Sequence, residues 1–308
     1  MPWCLGGKKN NKLMRNYNLN IAGYKIRFES VDNGPDLVPS ARFLRNICNT
    51  SDYNVLIRVR YGKYQLPDKA VRVFHAPYVE EINGIAVHHK TNFWSVWKYE
   101  DVLFIKSDFP LCHDERRAVL KFSLNTREWD LWIDCDLKEI DPLEYPLDGL
   151  LLYYLTVIHG DILIHASGVN YNGSGYLFSG VSGKGKTTMA RLWESNGATV
   201  IHDDRLILRK AGDAFIMYNT PVYNNDEPQE SPLTKLFIID HSTDNRIVSV
   251  KGAVAVSLVM ANCIQHNWGS EIITRLLSSV TSLCETVPVM KLYFKPEKSI
   301  SDYIIKHG

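Results

Sequence analysis

Eight consecutive residues carry the clearest chemistry in the sequence: Gly180-Val181-Ser182-Gly183-Lys184-Gly185-Lys186-Thr187, followed by Thr188. They fit G-x-x-x-x-G-K-[ST], a loop that cradles phosphate groups. The glycines at 180, 183 and 185 let the backbone take positive φ and approach a phosphate with no Cβ in the way. Successive N–H groups then face one concavity, and a helix opening near Lys186 adds its positive end. Lys186 supplies a mobile point charge, and Thr187 a hydroxyl suited to a magnesium ion. A second group lies close by in Val200-Ile201-His202-Asp203-Asp204-Arg205, where two adjacent carboxylates end an apolar run. One such carboxylate can hold magnesium while its neighbour takes a proton from an attacking hydroxyl. His165, inside Ile164-His165-Ala166-Ser167-Gly168, stands in an otherwise apolar run and by itself reads as a core histidine.

The elements that must position these groups follow from periodicity. Leu147 to His159 has helical length and an apolar stripe, with Gly160 to stop it. Strands are expected at Ile162 to Val169 and Gly175 to Ser179, a helix over Thr187 to Ser195, and a buried strand at Ala198 to Ile201. Further strands fit Leu206 to Leu208, Phe215 to Tyr218, Leu236 to Asp240 and Val287 to Phe294. Helices fit Val254 to Ile264, Glu271 to Cys284 and the stretch from Ser299. This order predicts an α/β domain with a mostly buried sheet over residues 146–308. Residues 1–145 alternate in short runs: Tyr24 to Phe28, Asn54 to Arg60, Val102 to Ile105, Ala118 to Phe122 and Trp129 to Ile133. They predict a β-rich N-terminal domain with Trp94, Trp97, Trp129 and Trp132 in its core, joined to the rest by Asp141-Pro142-Leu143-Glu144-Tyr145-Pro146.

Composition removes several classes of function. With Lys+Arg 35 against Asp+Glu 34 in 308 residues, the chain has no field to draw it onto nucleic acid or anionic lipid. The longest apolar run, Gly149 to Ile158, is half a membrane span. The start, MPWCLGGKKNNKLMR, lacks the apolar core of a secretory signal. The cysteines at 4, 48, 112, 135, 263 and 284 form no C-x-x-C pair, and the expectation is reduced thiols in the cytoplasm. Lys8, Lys9, Lys12 and Arg15 read as a solvated tail, and His88-His89 as part of a strand after the Asn83-Gly84 turn.

Taken together, the residues from about Pro146 onward resemble the catalytic domain of the HPr kinase/phosphorylase family. They look most like its shorter relatives associated with maturation of ribosomally made peptides, including lasso-peptide kinases. The resemblance rests on L-L-L-Y-Y-L, I-L-I-H-A-S-G-V, G-V-S-G-K-G-K-T-T and V-I-H-D-D-R-L-I-L, and more weakly on Ser231 to Asp240 and Val287 to Pro296. His165 lies fifteen residues before Gly180 and Asp203 seventeen after Lys186, as in that family. The loop also looks like that of ATP-dependent phosphoenolpyruvate carboxykinase, a related fold whose paired acids come sooner after the lysine.

The resemblance implies an ATP- and magnesium-dependent kinase acting on a Ser or Thr hydroxyl of a peptide or small protein. It implies phosphate binding by Gly180 to Thr188, metal binding by Thr187 and Asp204, and Asp203 as the base, the two acids being exchangeable. It implies His165 near the transferring phosphate and Arg205 anchoring the acid loop. Family members assemble as oligomers, so a homo-oligomer is one state to expect. A small-molecule kinase of free-serine type and a nucleotide-gated binding module are the alternatives. Two departures stand out. Thr188 replaces an acid of true HPr kinases, and Thr220-Pro221-Val222-Tyr223-Asn224-Asn225 stands where the short relatives carry T-P-W. The front half does not match the HPr kinase sensor domain, so HPr itself and reverse phosphorylase activity are not carried over.

Overall fold

The computed structural model describes residues 14–82, 85–108, 116–222, 226–266 and 268–308, the side chains of 77–92 excepted. Cys4, Lys8, Lys9, Lys12, the Asn83-Gly84 turn, Cys112 and Tyr223-Asn224-Asn225 lie outside the described residues, as do the side chains of His88 and His89. The chain divides into two compact units, 1–151 and 152–308. Both are rich in strands, so the molecule is a mixed α/β protein with large sheets.

The first unit holds β1 (Asn16–Ile21), β2 (Tyr24–Ser30), β3 (Asp36–Leu37), β4 (Ile47–Cys48), β5 (Val55–Tyr61), β6 (Val71–Ile82), β7 (Ile85–Tyr99), β8 (Val102–Asp108), β9 (Arg117–Phe122), β10 (Glu128–Asp134) and β11 (Glu139–Ile140). Nine of these form one sheet in the order β4-β1-β2-β5-β10-β9-β8-β7-β6, while β11 pairs with β3. Alternation works as expected in β2, where Tyr24, Ile26 and Phe28 are buried, and in β1, where Tyr17, Leu19 and Ile21 are. The four tryptophans do not share a core. Trp129 is buried, whereas Trp94, Trp97 and Trp132 are half-buried. Trp129 and Trp132 are an odd number of residues apart on one strand, so they point to opposite faces. Trp132 packs against Tyr64 instead, with ring centroids 4.2 Å apart.

Near the end of this unit Asp141 accepts a hydrogen bond from the Leu143 amide at 2.9 Å. Desolvation pushes its carboxyl up to about 6, against the opposing pull of that bond and of Arg42. A carboxyl pKa raised above its unfolded value of about 4 means that the folded state holds the extra proton. Its contribution is therefore present below about pH 4 and is lost as pH rises through 6. Asp141→Asn keeps an acceptor for Leu143 and does not titrate. It should match wild type near pH 4 and melt higher at pH 8, by on the order of 1–2 kcal/mol, since partial exposure holds the gain below the full shift. Melts at the two pH values read this directly.

The second unit follows α1 (Leu147–His159), within which the division between units falls. Its strands are β12 (Ile162–Tyr171), β13 (Ser174–Ser179), β14 (Thr199–His202), β15 (Arg205–Ala211), β16 (Ala214–Asn219), β17 (Glu230–His241), β18 (Arg246–Val250) and β19 (Val289–Phe294). Its further helices are α2 (Lys186–Glu194), α3 (Gly252–Met260), α4 (Ser270–Thr286) and α5 (Ile300–His307). The strand order β13-β12-β15-β16-β17-β19-β18 closes on itself through a β13–β17 pairing, and β14 lies against β12. Within this second sheet, among the described residues, only β13–β17 and β17–β19 pair in parallel. The sheet of this mixed α/β unit is therefore mostly antiparallel, a direction that element order did not specify. Hairpin turns such as Asn172-Gly173 and Gly212-Asp213 join successive strands with no crossover helix between them, which forces antiparallel pairing.

Two apolar clusters pin the helices on the strands. One joins Met189, Ala190 and Trp193 of α2 and Ile300 and Ile304 of α5 to Phe178, Phe237 and Leu292. The other joins Ala255 and Val259 of α3 and Leu276, Val280 and Leu283 of α4 to Ile164, Leu206, Met217 and Leu236. The expected strand at Ala198 to Ile201 forms one residue later and is buried only at Ile201 and His202. β18 escaped sequence reading because its burial pattern has no apolar period. No helix among the described residues is long and apolar enough to cross a membrane.

Candidate active site

β12 is the strand from which the candidate residues hang. Its residues 166–171 pair with β13, its residues 162–165 with β15, and Gly168 faces His202 of β14. β13 runs into the glycine-rich loop, and the turn between β14 and β15 carries Asp203 and Asp204. Ser179 Oγ donates to the His165 carbonyl at 2.8 Å, and the Ala166 amide donates to the Asp204 carbonyl at 3.0 Å. The loop entrance and the acid turn therefore flank β12 on its two edges, about 10 Å apart across two strand spacings.

The loop itself takes the form its glycines allow. Gly183 and Gly185 have φ of +82° and +91°. A Cβ at Gly185 would stand 3.0 Å from both the His241 ring and the Phe294 ring, so this position needs glycine for space as well as for angle. Gly185 is the N-cap of α2 and offers no side-chain cap. The amides of Lys186, Thr187 and Thr188 consequently make no hydrogen bond among the described residues. Val181 is exposed at the loop tip, Ser182 and Thr188 are exposed, and Thr187 is half-buried. The Lys186 ammonium is buried and donates to the carbonyls of Gly180 at 2.8 Å and Val181 at 3.3 Å. Burial pulls its pKa below the ordinary lysine range, with the nearby Asp204 carboxylate opposing.

Buried Ser167 on β12 donates to the Lys186 carbonyl at 2.9 Å and ties the first turn of α2 to the sheet. Ser167→Ala should lower stability by about 1 kcal/mol, the net worth of one buried neutral hydrogen bond. Urea unfolding of the two proteins gives the difference.

His165 is a correction to the core reading, because 45% of its side chain is exposed. Its Nδ1 lies 2.8 Å from the Asp204 carbonyl and 3.2 Å from the Asp204 carboxylate. Arg205 Nε reaches the other Asp204 oxygen at 3.3 Å. The hydrogen bond with His165 is the main force holding the Asp204 carboxyl below the usual carboxylate range, with Arg205 adding to it. Asp203 is half-buried and has neither a hydrogen bond nor an ion pair among the described residues. The two adjacent acids thus differ: Asp204 is held by His165 and Arg205, and Asp203 makes no such contact among the described residues.

Three supporting contacts were not identified from sequence. His202 was quoted but given no task. Its Nδ1 accepts from the amides of Asp204 at 3.1 Å and Arg205 at 3.3 Å, which shapes the acid turn. Desolvation keeps it below the ordinary histidine range, opposed by Asp226, whose carboxylate lies 3.6 Å from Nε2. Lys184 and Asp240 form a 2.8 Å pair between the loop and the end of β17. Thr220, in the divergent segment, donates to the Arg205 carbonyl at 3.0 Å. A polar residue after an apolar run was the available signal for Asp240; His202 acts on nearby backbone amides that no side-chain pattern reveals, and the partner of Thr220 lies 15 residues away.

No group of three or more His, Cys, Asp or Glu among the described residues could hold a metal ion. Thr187 and Asp204 each carry an oxygen donor of the kind magnesium takes, since that ion keeps most of its waters and uses one or two protein oxygens beside phosphate.

No protein-family model matches the chain, and no curated protein does. One solved structure it is similar to is the Hpr(Ser) kinase/phosphatase from Coxiella burnetii. The identity is 9% and the TM-score 0.27, with 47% of this chain and 99% of that chain covered.

Proposed function

We propose that residues 146–308 form an ATP- and magnesium-dependent kinase domain that transfers the γ-phosphate to a Ser or Thr hydroxyl of a peptide or small protein. The observation that carries this reading is the pairing of two unlike acids with a lysine-bearing loop across one strand. Three partnerless amides and Lys186 supply an anion cradle at the start of α2. The sequence resemblance supports the same assignment.

In this reading the β- and γ-phosphates rest on the loop, and Lys186 exchanges its bonds to the Gly180 and Val181 carbonyls for phosphate oxygens. Thr187 Oγ1 and the anionic Asp204 would hold magnesium, which when bound would supply positive charge to offset that of the phosphates. Asp203 takes the acceptor proton as the new O–P bond forms and the bond to the β-phosphate oxygen breaks, releasing ADP. His165, engaged through Nδ1, has Nε2 left for a phosphate oxygen. Arg205 and His202 keep the acid turn in shape. The first unit is assigned to acceptor recognition, and the domain acts in the cytoplasm.

Lys186→Ala tests the cradle. Saturating Mg-ATP at about 100 times its Kd should stabilise wild type by ~2.7 kcal/mol. That is a rise in Tm of roughly 5–10 °C for a unit of this size. The rise should need magnesium and be absent in Lys186→Ala. A folded wild type with no rise overturns the reading.

A further inference from the structure

A cavity of about 260 Å³ adjoins the glycine-rich loop. Its lip is Gly180, Val181 and Lys184, its floor is Ile238, Lys291 and Tyr293 of β17 and β19, and its wall is Leu258, Ala261 and Asn262 at the end of α3. β13, β17 and β19 are mutually parallel neighbours, so their carboxyl ends share one edge, where open sheets place their ligands. Resting on the phosphate-cradle reading above, we propose that this cavity takes the nucleoside half of the nucleotide whose phosphates lie on the loop.

Three observations point there. The cavity meets the loop at the carbonyls the lysine holds: Lys186 Nζ is 2.8 Å from the oxygen of Gly180, a lining residue. A ligand occupying both would need no break between its two halves. The size is also right for part of a ligand. Whole-ligand pockets start near ~300 Å³, so a flat base with its sugar fills this one and leaves the phosphates outside on the loop.

The lining has the required chemistry as well. Ile238 and Leu258 give apolar walls and Tyr293 an aromatic one that carries the Arg246 guanidinium over its ring, and the charged and amide side chains are the paired Lys184 and Asp240 with Lys291 and Asn262. Lys291 is half-buried and has no hydrogen bond or ion pair among the described residues, which leaves its ammonium as a donor. Asn262 spends an amide N–H on the Leu258 carbonyl at 2.8 Å, which leaves its side-chain oxygen as an acceptor. A donor and an acceptor on apolar walls match the hydrogen-bonding edge of a nucleobase.

The test compares Mg-ATP with magnesium tripolyphosphate, which has phosphates and no nucleoside, by titration calorimetry on the full chain. Ala261 is exposed at the rim, so Ala261→Trp fills the cavity mouth without entering the core. The expected result is a tenfold or greater loss of ATP affinity with tripolyphosphate affinity within twofold of wild type. Unchanged ATP affinity in Ala261→Trp overturns the assignment. Equal loss of both ligands would mean that the indole has disturbed the loop, and Lys291→Met then decides. Selective loss of ATP in that variant supports the site, and its absence overturns it. Should wild type bind neither ligand, or Lys186→Ala bind both as wild type does, the cradle reading itself fails and takes the nucleoside site with it.

Discussion

Asp203→Asn should lower phosphoryl transfer by 10²–10⁴-fold, the usual worth of a positioned general base, while Mg-ATP stabilises the variant as it does wild type. The reason lies in the difference between the two acids. Asp204 is committed to His165 and Arg205 and is held anionic, which makes it a poor proton acceptor at neutral pH. Asp203 has no such partner, and an amide in its place keeps the size of the side chain but cannot take a proton. Asp204→Asn should act differently: it removes a charge shared by Lys186, His165 and Arg205, so nucleotide binding and transfer should fall together. Single-turnover transfer measured beside the melt shift separates these outcomes. If Asp203→Asn retains full transfer, Asp203 is not the base.

Gly175→Ala should cost more stability than any change discussed above, more than about 4 kcal/mol or the loss of the folded second unit. A Cβ at this position would lie 1.9 Å from the Pro232 carbonyl oxygen, 2.8 Å from Ser231 Oγ and 2.9 Å from Met217 Cε. The nearest of these is backbone in β17, which also pairs with β16 and β19 and cannot move aside alone. The register of β13 on β17 shifts between Gly175 and Tyr176, so glycine marks a close approach of two backbones. Destabilisation of this size belongs to the small set of steric clashes in a packed interior. Gly173→Ala, two residues away, meets no atom within 4 Å and pays only for its φ of +81°. Urea unfolding of the pair should separate them by several kcal/mol; equal losses would show that β13 has room to shift.

The glycine-rich loop, the acid pair and most strands of the second unit were legible in the sequence because each is a local pattern. The helix predicted from Thr187 begins at Lys186, and the strand predicted from Gly175 begins at Ser174. Sheet direction was not legible. Strand and helix order gives no pairing direction, which depends on which edges meet, and most of the connections here are tight turns. His165 reads as core from its neighbours alone for a related reason. Ile164 and Ala166 point to the opposite face and make the run read apolar, while the His165 side chain itself lies beside Asp204. His202 and Ser167 act on backbone groups that no side-chain pattern reveals. The three half-buried tryptophans of the first unit show the same limit, since period alone does not say which face is covered.

β12 bonds to β13, β14 and β15, and the bridge from Ile164 to Cys263 adds a segment nearly a hundred residues away. Contacts so distant along the chain close large loops before they return any stability, which delays them in folding. On the ribosome, a nascent second unit that has emerged only through the acid turn already contains the loop, the lysine and both carboxylates. It still lacks the β17 strand against which β13 aligns and the α3 end that meets His165. The strands around β12 therefore close late in synthesis, only after β17 and the end of α3 have emerged.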